Sequence, residues 1–258
     1  MKLNRIGYKL GLAGAIGASL AVGMIANQMM AERAVSQANQ QAERARHVAE
    51  SVLSASISIQ QTQLAGRTAR LARTPADAEK AASDIQQFST TMVTDIDAAL
   101  ANVSTADNRS RLTRLKELMK SYAAGAVDLA EAQKMLLLQI DKRSAVSNEW
   151  SNNLKALLGS PALPNLAFRE RVERQLHAAD AKLNYMRSQA WRFGMTGDAA
   201  TIATLKQTVP VLKSSLTDAR MLADDREIQA TISKLNGIAS DFVAANDEVV
   251  KIEAIKEA

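Results

Sequence analysis

The stretch VERQLHAADAKLNYMRSQAWRF, Val172 to Phe193, decides the fold. Its apolar residues Val172, Leu176, Ala179, Leu183, Met186, Ala190 and Phe193 recur at strictly alternating steps of four and three. Residues at that spacing share one face of an α-helix and form the seam of a coiled coil or helical bundle, whereas a half-buried strand would alternate with period two. The same rhythm extends in both directions from this stretch.

Toward the carboxyl end, Met195-Thr196-Gly197-Asp198 reads as a reversal. A fifth helix follows to about Leu222, with a kink expected at Pro210, where the ring removes a donor and clashes with the preceding turn. The last helix carries Ile228, Thr231, Leu235, Ile238, Phe242, Ala245, Val249 and Ile252 and is still helical at Ala258. Toward the amino end, Gly159-Ser160-Pro161-Ala162-Leu163-Pro164 must break the chain before the fourth helix. The third helix has its seam at Leu112, Leu115, Met119, Tyr122, Ala126, Leu129, Gln133, Leu136 and Ile140, with a further turn expected near Asp141 to Ser147. A second helix, about Pro75 to Ala101, carries Ala81, Ile85, Phe88 and Met92; the polar segment Asn102 to Asn108 ends it, and Ser104 or Thr105 can cap the next. The first helix places Ala38, Ala42, Ala45, Ala49, Val52, Ser56, Ile59, Gln63 and Gly66 on its seam and reaches about Arg73. There Thr74-Pro75-Ala76-Asp77 supplies an N-cap, a first-turn proline and an acid for the dipole.

Composition agrees with helix nearly throughout. Of 258 residues, 47% are apolar but only 3% aromatic, and there are four prolines. The net charge of +5 falls to +2 once Lys2, Arg5 and Lys9 are set aside, too balanced for the concentrated basic face of a nucleic-acid binder. With no cysteine there is no disulfide framework and no thiolate metal site, and His47 and His177 lie far apart without zinc-like spacing. No nucleophile motif, phosphate-cradling glycine loop or metal-spaced acid set is present, so the sequence gives no catalytic residue, cofactor or metal and reads as a non-enzyme.

The amino-terminal stretch GYKLGLAGAIGASLAVG places a small residue at every fourth position: Gly7, Gly11, Ala15, Ser19 and Gly23. In water such glycines cost about 1 kcal/mol each relative to alanine, whereas in lipid they let two helix backbones approach closely. No charge occurs from Leu10 to Ala26, and with the residues up to Met30 the run is long enough to cross a bilayer. Lys2, Arg5 and Lys9 precede it and favour a cytoplasmic amino terminus, residues 1–9, with everything past a 10–30 anchor outside the inner membrane. A cleaved signal peptide ending near Ala21-Val22-Gly23 is the rival reading. The long helices, of roughly 43 and 50 residues, would span about 65 to 75 Å. The second and fifth are about half that. The sequence therefore predicts an all-α protein: a transmembrane helix, then six helices forming two stacked four-helix-bundle modules. The reversals Arg70-Leu71-Ala72-Arg73-Thr74-Pro75 and Arg192-Phe193-Gly194-Met195-Thr196-Gly197 resemble each other, a weak internal duplication.

The anchor, the six-helix order and the fourth helix closing in AKLNYMRSQAWRFGMTGDAATIATL, Ala181 to Leu205, resemble the extracytoplasmic sensor region of a methyl-accepting chemotaxis protein, the helical bimodular type. The resemblance covers residues 1–258. It implies a periplasmic sensor domain over 31–258, with a distal module of about 57–101 and 176–222 and a proximal module of about 31–56, 106–175 and 223–258. Such receptors continue into a second span and a cytoplasmic coiled coil; neither is in this sequence, which is expected to be either a fragment or a natural truncation. The implied partners are a small organic acid, the membrane and a second copy of the chain; coupling proteins and a kinase would act only through the missing cytoplasmic part.

Members of the family that the chain resembles bind small organic acids, in some of them dicarboxylates in the proximal module and acetate in the distal one. Guanidinium forks suit carboxylates through paired charge-assisted hydrogen bonds. By that likeness Arg44, Arg226 and Thr231 are the proximal candidates, and Arg67, Arg70, Arg187 and Arg192 the distal ones. The polar seam residues Ser56, Gln63, Gln133 and Thr231 either fix helix register or line a ligand cavity. Two other classes stay open: the sensor of a histidine kinase that recognises a periplasmic protein, and a ligand-free, membrane-anchored coiled coil.

Overall fold

The computed structural model describes the backbone of residues 3–257; the side chains of residues 3–22, 25, 26 and 257 lie outside the described ones. Six α-helices and one short 3₁₀ turn follow in order: α1 Leu3–Leu71, α2 Pro75–Asn102, α3 Ala106–Leu158, the 3₁₀ turn Leu163–Asn165, α4 Arg169–Thr196, α5 Ala199–Leu222 and α6 Arg226–Glu257. There is no strand among the described residues. No helix among them is long and apolar enough to cross a membrane. The expected anchor at 10–30 falls largely outside the described side chains, as do Gly7, Gly11, Ala15 and Ser19 of the small-residue stripe. Gly23, its last member, is exposed, with open space where a Cβ would stand.

Local chemistry explains the helix ends. Thr74 Oγ1 accepts from the Asp77 amide at 3.1 Å and donates to the Asp77 carboxylate at 2.7 Å, a reciprocal cap around Pro75 at the first position of α2. Thr105, not Ser104, caps α3 by accepting from the Asn108 amide at 3.4 Å. Gly197, at φ 66°, takes the left-handed turn that closes α4, its amide bonding the Phe193 carbonyl at 2.8 Å. Asp198 then caps α5 through the Ala200 amide, and the Asp225 carboxylate accepts from the Glu227 and Ile228 amides to start α6. Helix α5 runs unbroken through Pro210, which is exposed.

The chain divides into two compact units: Met1–Ala65 with Ser83–Ala126, and Gly66–Ala82 with Val127–Ala258. Their boundaries fall inside α1, α2 and α3. In the first unit a small core of Ala55, Met92 and Ile96 is flanked by Ile59, Val93, Leu100, Leu112, Leu115 and Met119. The packing face of α1 is Ala55, Ser58, Thr62, Ala65 and Ala69, all buried, so Val52, Ser56 and Gln63 of the expected seam are exposed and Ile59 is only half-buried, while Gly66 is buried beside Ala65. The stripe keeps its three-four rhythm but starts one position away, because alanine, serine and threonine offer little hydrophobic contrast between adjacent faces of this helix.

The second unit buries far more. Trp150, Leu154 and Leu157 of α3, the α4 stripe from Val172 to Ala190, Leu205, Leu212 and Leu216 of α5, and Ile228 to Phe242 of α6 form one core. All seven seam residues of α4 are buried. The turn expected at Asp141 to Ser147 is absent, and α3 passes through it without interruption. The segment DKRSAVS holds no glycine or proline, and each residue costs at most about 0.7 kcal/mol in a helix, so packing decides.

Trp150 is fully buried, and its indole N–H donates to Asp180 Oδ1 at 2.9 Å. Replacing Asp180 with Ala strands that donor in the core, and we expect urea unfolding to show a loss of about 1–3 kcal/mol. Trp150→Phe in the same background should cost much less than in the wild type; additive losses would contradict the coupling.

Candidate functional site

One cleft of about 450 Å³ lies in the first unit, where the α2–α3 connection meets α1. Gln41, Arg44, Ala45 and Val48 line it from α1, Asn102, Val103 and Ser104 from the connection, and Asn108 from the first turn of α3. The fold positions these groups for definite reasons. Val103 is buried, and its amide continues the α2 ladder to the Ala99 carbonyl at 3.0 Å. The Arg109 guanidinium donates to the Val103 carbonyl at 3.2 Å, fastening the connection to α3. The start of α3 therefore faces the cleft with the positive end of its dipole, next to the exposed guanidinium of Arg44. The only acid in that first turn, Asp107, is paired with Arg111 at 2.9 Å. The lining thus offers donors from Arg44, from the Asn108 amide and from the Ser104 hydroxyl, around apolar Ala45 and Val48; the Asn102 amide, which donates to the Ala98 carbonyl at 3.0 Å, has one N–H left for the cleft. Such a lining suits a small anion with a short carbon skeleton.

Arg44 is thus the one sequence candidate that lines this cleft. Arg226 and Thr231 belong to the second unit. Arg226 is exposed at the start of α6; Thr231 is half-buried and returns its hydroxyl to the Glu227 carbonyl of its own helix at 3.0 Å. Arg67, Arg70, Arg187 and Arg192 all lie in the second unit. The first two and Arg192 are exposed, and among the described residues none of the four forms an ion pair. Arg187 is half-buried and reaches from α4 to α3, where its Nε donates to Ser147 Oγ at 3.2 Å and its Nη2 to the Ser147 carbonyl and Ser151 Oγ. Nη1 holds the Asn184 amide oxygen at 2.8 Å. Desolvation pushes its pKa down, partly countered by the Asp180 carboxylate.

Two features of the second unit escaped sequence reading. Gln133 was legible as a polar seam residue; it is buried and donates to the Ala72 carbonyl at 3.1 Å, satisfying an acceptor past the end of α1. Arg143 and Asn246 were not, although both fall at seam spacing. Arg143, half-buried on α3, donates to Asn246 Oδ1 on α6 at 3.1 Å, and Asn246 returns its amide to the Phe242 carbonyl at 2.8 Å. Among the described residues no group of three or more potential metal ligands assembles.

Comparison with protein families, with curated proteins and with solved structures gives no match.

Arg187 and Arg192 make a sharp contrast for stability. Arg187→Ala removes the charge-assisted hydrogen bonds that reach from α4 to Ser147 and Ser151 of α3, and should cost about 1–3 kcal/mol in chemical denaturation. The exposed Arg192→Ala should stay within about 0.5 kcal/mol of wild type. Equal effects would show that the α3–α4 bonding of Arg187 is not formed in solution.

Proposed function

We propose that this chain is the ligand-sensing portion of a membrane-anchored chemoreceptor that binds a small organic anion. The cleft beside Arg44 carries the reading: a guanidinium, two amides and a helix amino terminus converge where α1 meets the α2–α3 connection. Nothing in the lining points to bond-making chemistry, so the role is recognition. The all-helical architecture, six helices with the expected caps, supports the resemblance to helical bimodular sensor regions. The basic start and uncharged run from Leu10 to Ala26 support a span of the inner membrane, with residues 31–258 on the periplasmic side and the small-residue stripe as the contact between paired anchors.

In this reading the anion bridges α1 to the α2–α3 connection and favours the conformation in which they are closest. It shifts the equilibrium only by its differential affinity for the two states. Arg67, Arg70, Arg187 and Arg192, all in the second unit, remain the candidates for a second anion.

The test is thermal unfolding of the full chain against a panel of mono- and dicarboxylates. A true ligand at about a hundred times its Kd stabilises by roughly 2.7 kcal/mol, a shift of several degrees for a chain of this size. Arg44→Ala should abolish the shift while leaving the unliganded midpoint nearly unchanged, because Arg44 is exposed. No response to any carboxylate, or a response that survives Arg44→Ala, would overturn the proposal.

A further inference from the structure

The core of the second unit is two cores. The larger contains Trp150 of α3, Met186 and Ala190 of α4, Leu205 of α5 and Phe242 of α6. The smaller gathers Leu136 of α3, Phe193 of α4, Ile202 of α5 and Val249 and Ile252 of α6, with Ile140 against it. On two of the four helices a polar residue sits between the members of the two clusters. On α3 it is Arg143, between Ile140 and Val146; on α6 it is Asn246, between Phe242 and Val249. Asn246 is 3% exposed. One α3 turn before Arg143, the buried amide oxygen of Gln139 has no hydrogen-bond partner.

This polar layer holds a positive charge without a negative one. Arg143 makes its hydrogen bond to a neutral amide. The carboxylates nearest in sequence to Asn246 are engaged elsewhere: Asp247 by Lys206 at 3.1 Å and Glu248 by Lys251 at 2.6 Å. Burial alone lowers the pKa of Arg143, with no carboxylate acting on it. Holding an uncompensated guanidinium partly out of water costs free energy that a neutral side chain would not. An unpartnered amide beside it adds to that cost, and the amide can present its NH₂ instead of its oxygen by a simple flip.

We propose that the polar layer formed by Gln139, Arg143 and Asn246 is a binding site for one small monovalent anion of halide size. The anion supplies the charge that Arg143 lacks and accepts from the guanidinium N–H groups not given to Asn246 and from the flipped Gln139 amide. Apolar side chains bound the layer on both sides, and one helical turn advances only about 5.4 Å, so the height of the layer suits a compact ion rather than a carbon chain. This inference is independent of the Arg44 cleft, which lies in the other unit.

Bromide is the probe, with fluoride, which is held too firmly by water, keeping ionic strength constant. Titrating the full chain, we expect the thermal midpoint to rise saturably with bromide, and crystals soaked in bromide to show an anomalous peak at hydrogen-bond distance from Arg143. Arg143→Gln should weaken the bromide dependence at least about tenfold, the loss of a charge-assisted bond. Arg143→Met, which fills the layer with an apolar side chain of similar length, guards against a merely unfolded variant: it should be as stable as wild type without bromide and indifferent to it. A wild-type midpoint that ignores bromide, an equal response in both variants, or bromide confined to surface arginines would overturn the proposal.

Discussion

The second unit depends on one stripe of α3. Gln133, Leu136, Ile140, Arg143, Ser147, Trp150, Leu154 and Leu157 follow one another at alternating steps of three and four, and every one is at least partly buried. Four of the eight carry a polar group, and each polar group is tied to a different part of the unit. Gln133 bonds the chain past the end of α1, Arg143 bonds α6, and Ser147 and Trp150 bond α4. A sliding α3 would break all four together. In a core whose apolar side chains pack almost equally well one turn up or down, these directional bonds single out one register, since each buried polar group left alone costs about 1–3 kcal/mol.

The same stripe shows why sequence reading succeeded in some places and failed in others. Contrast carried α4: its seam residues are apolar, those between them include Glu173, Arg174, Lys182 and Arg187, and all seven expected positions are buried. Caps were equally legible at Thr74 and Thr105, which sit where a helix must begin and have side chains able to accept the orphan amides, whereas Asp198 was legible only as part of a reversal. On α3 the apolar pattern lapses at Arg143 and Ser147, and a lapse in hydrophobicity resembles a turn when only polarity is counted. It was a change of chemistry within an unbroken helix. On α1 the difficulty was the opposite. With alanine, serine and threonine on several faces, the period was readable but its phase was not. The Arg44 cleft was legible only as a residue type; what gives it meaning is the α2–α3 connection beside it, which no periodicity reveals.

The two units differ in how firmly they are built, and this bears on how a signal could arise. In the second, fully buried large side chains from four helices, including Trp150, Phe242, Leu176 and Leu216, make the packing resistant to small displacements. The first contains few: Ile85, Met92 and Ile96 are fully buried, but Leu112, Leu115 and Met119 of α3 are only partly covered, and α1 contributes alanine. From Asn27 to His47 α1 is exposed on every face. Burial energy scales with apolar area, at about 25 cal/mol per Å², so the alanine that α1 contributes to the first core stabilises less than the large side chains of the second unit do.

A ligand exerts most influence where the protein's own contacts are few. The cleft beside Arg44 lies at that place, joining α1 to the α2–α3 connection. In the proposed reading, a carboxylate held there by charge-assisted hydrogen bonds changes the populations of the arrangements of α1 and the α2–α3 connection. A helix carries such a displacement along its axis only if its hydrogen-bond ladder is unbroken. Helix α1 has that property: it is one helix from Leu3 to Leu71, with no proline to interrupt it.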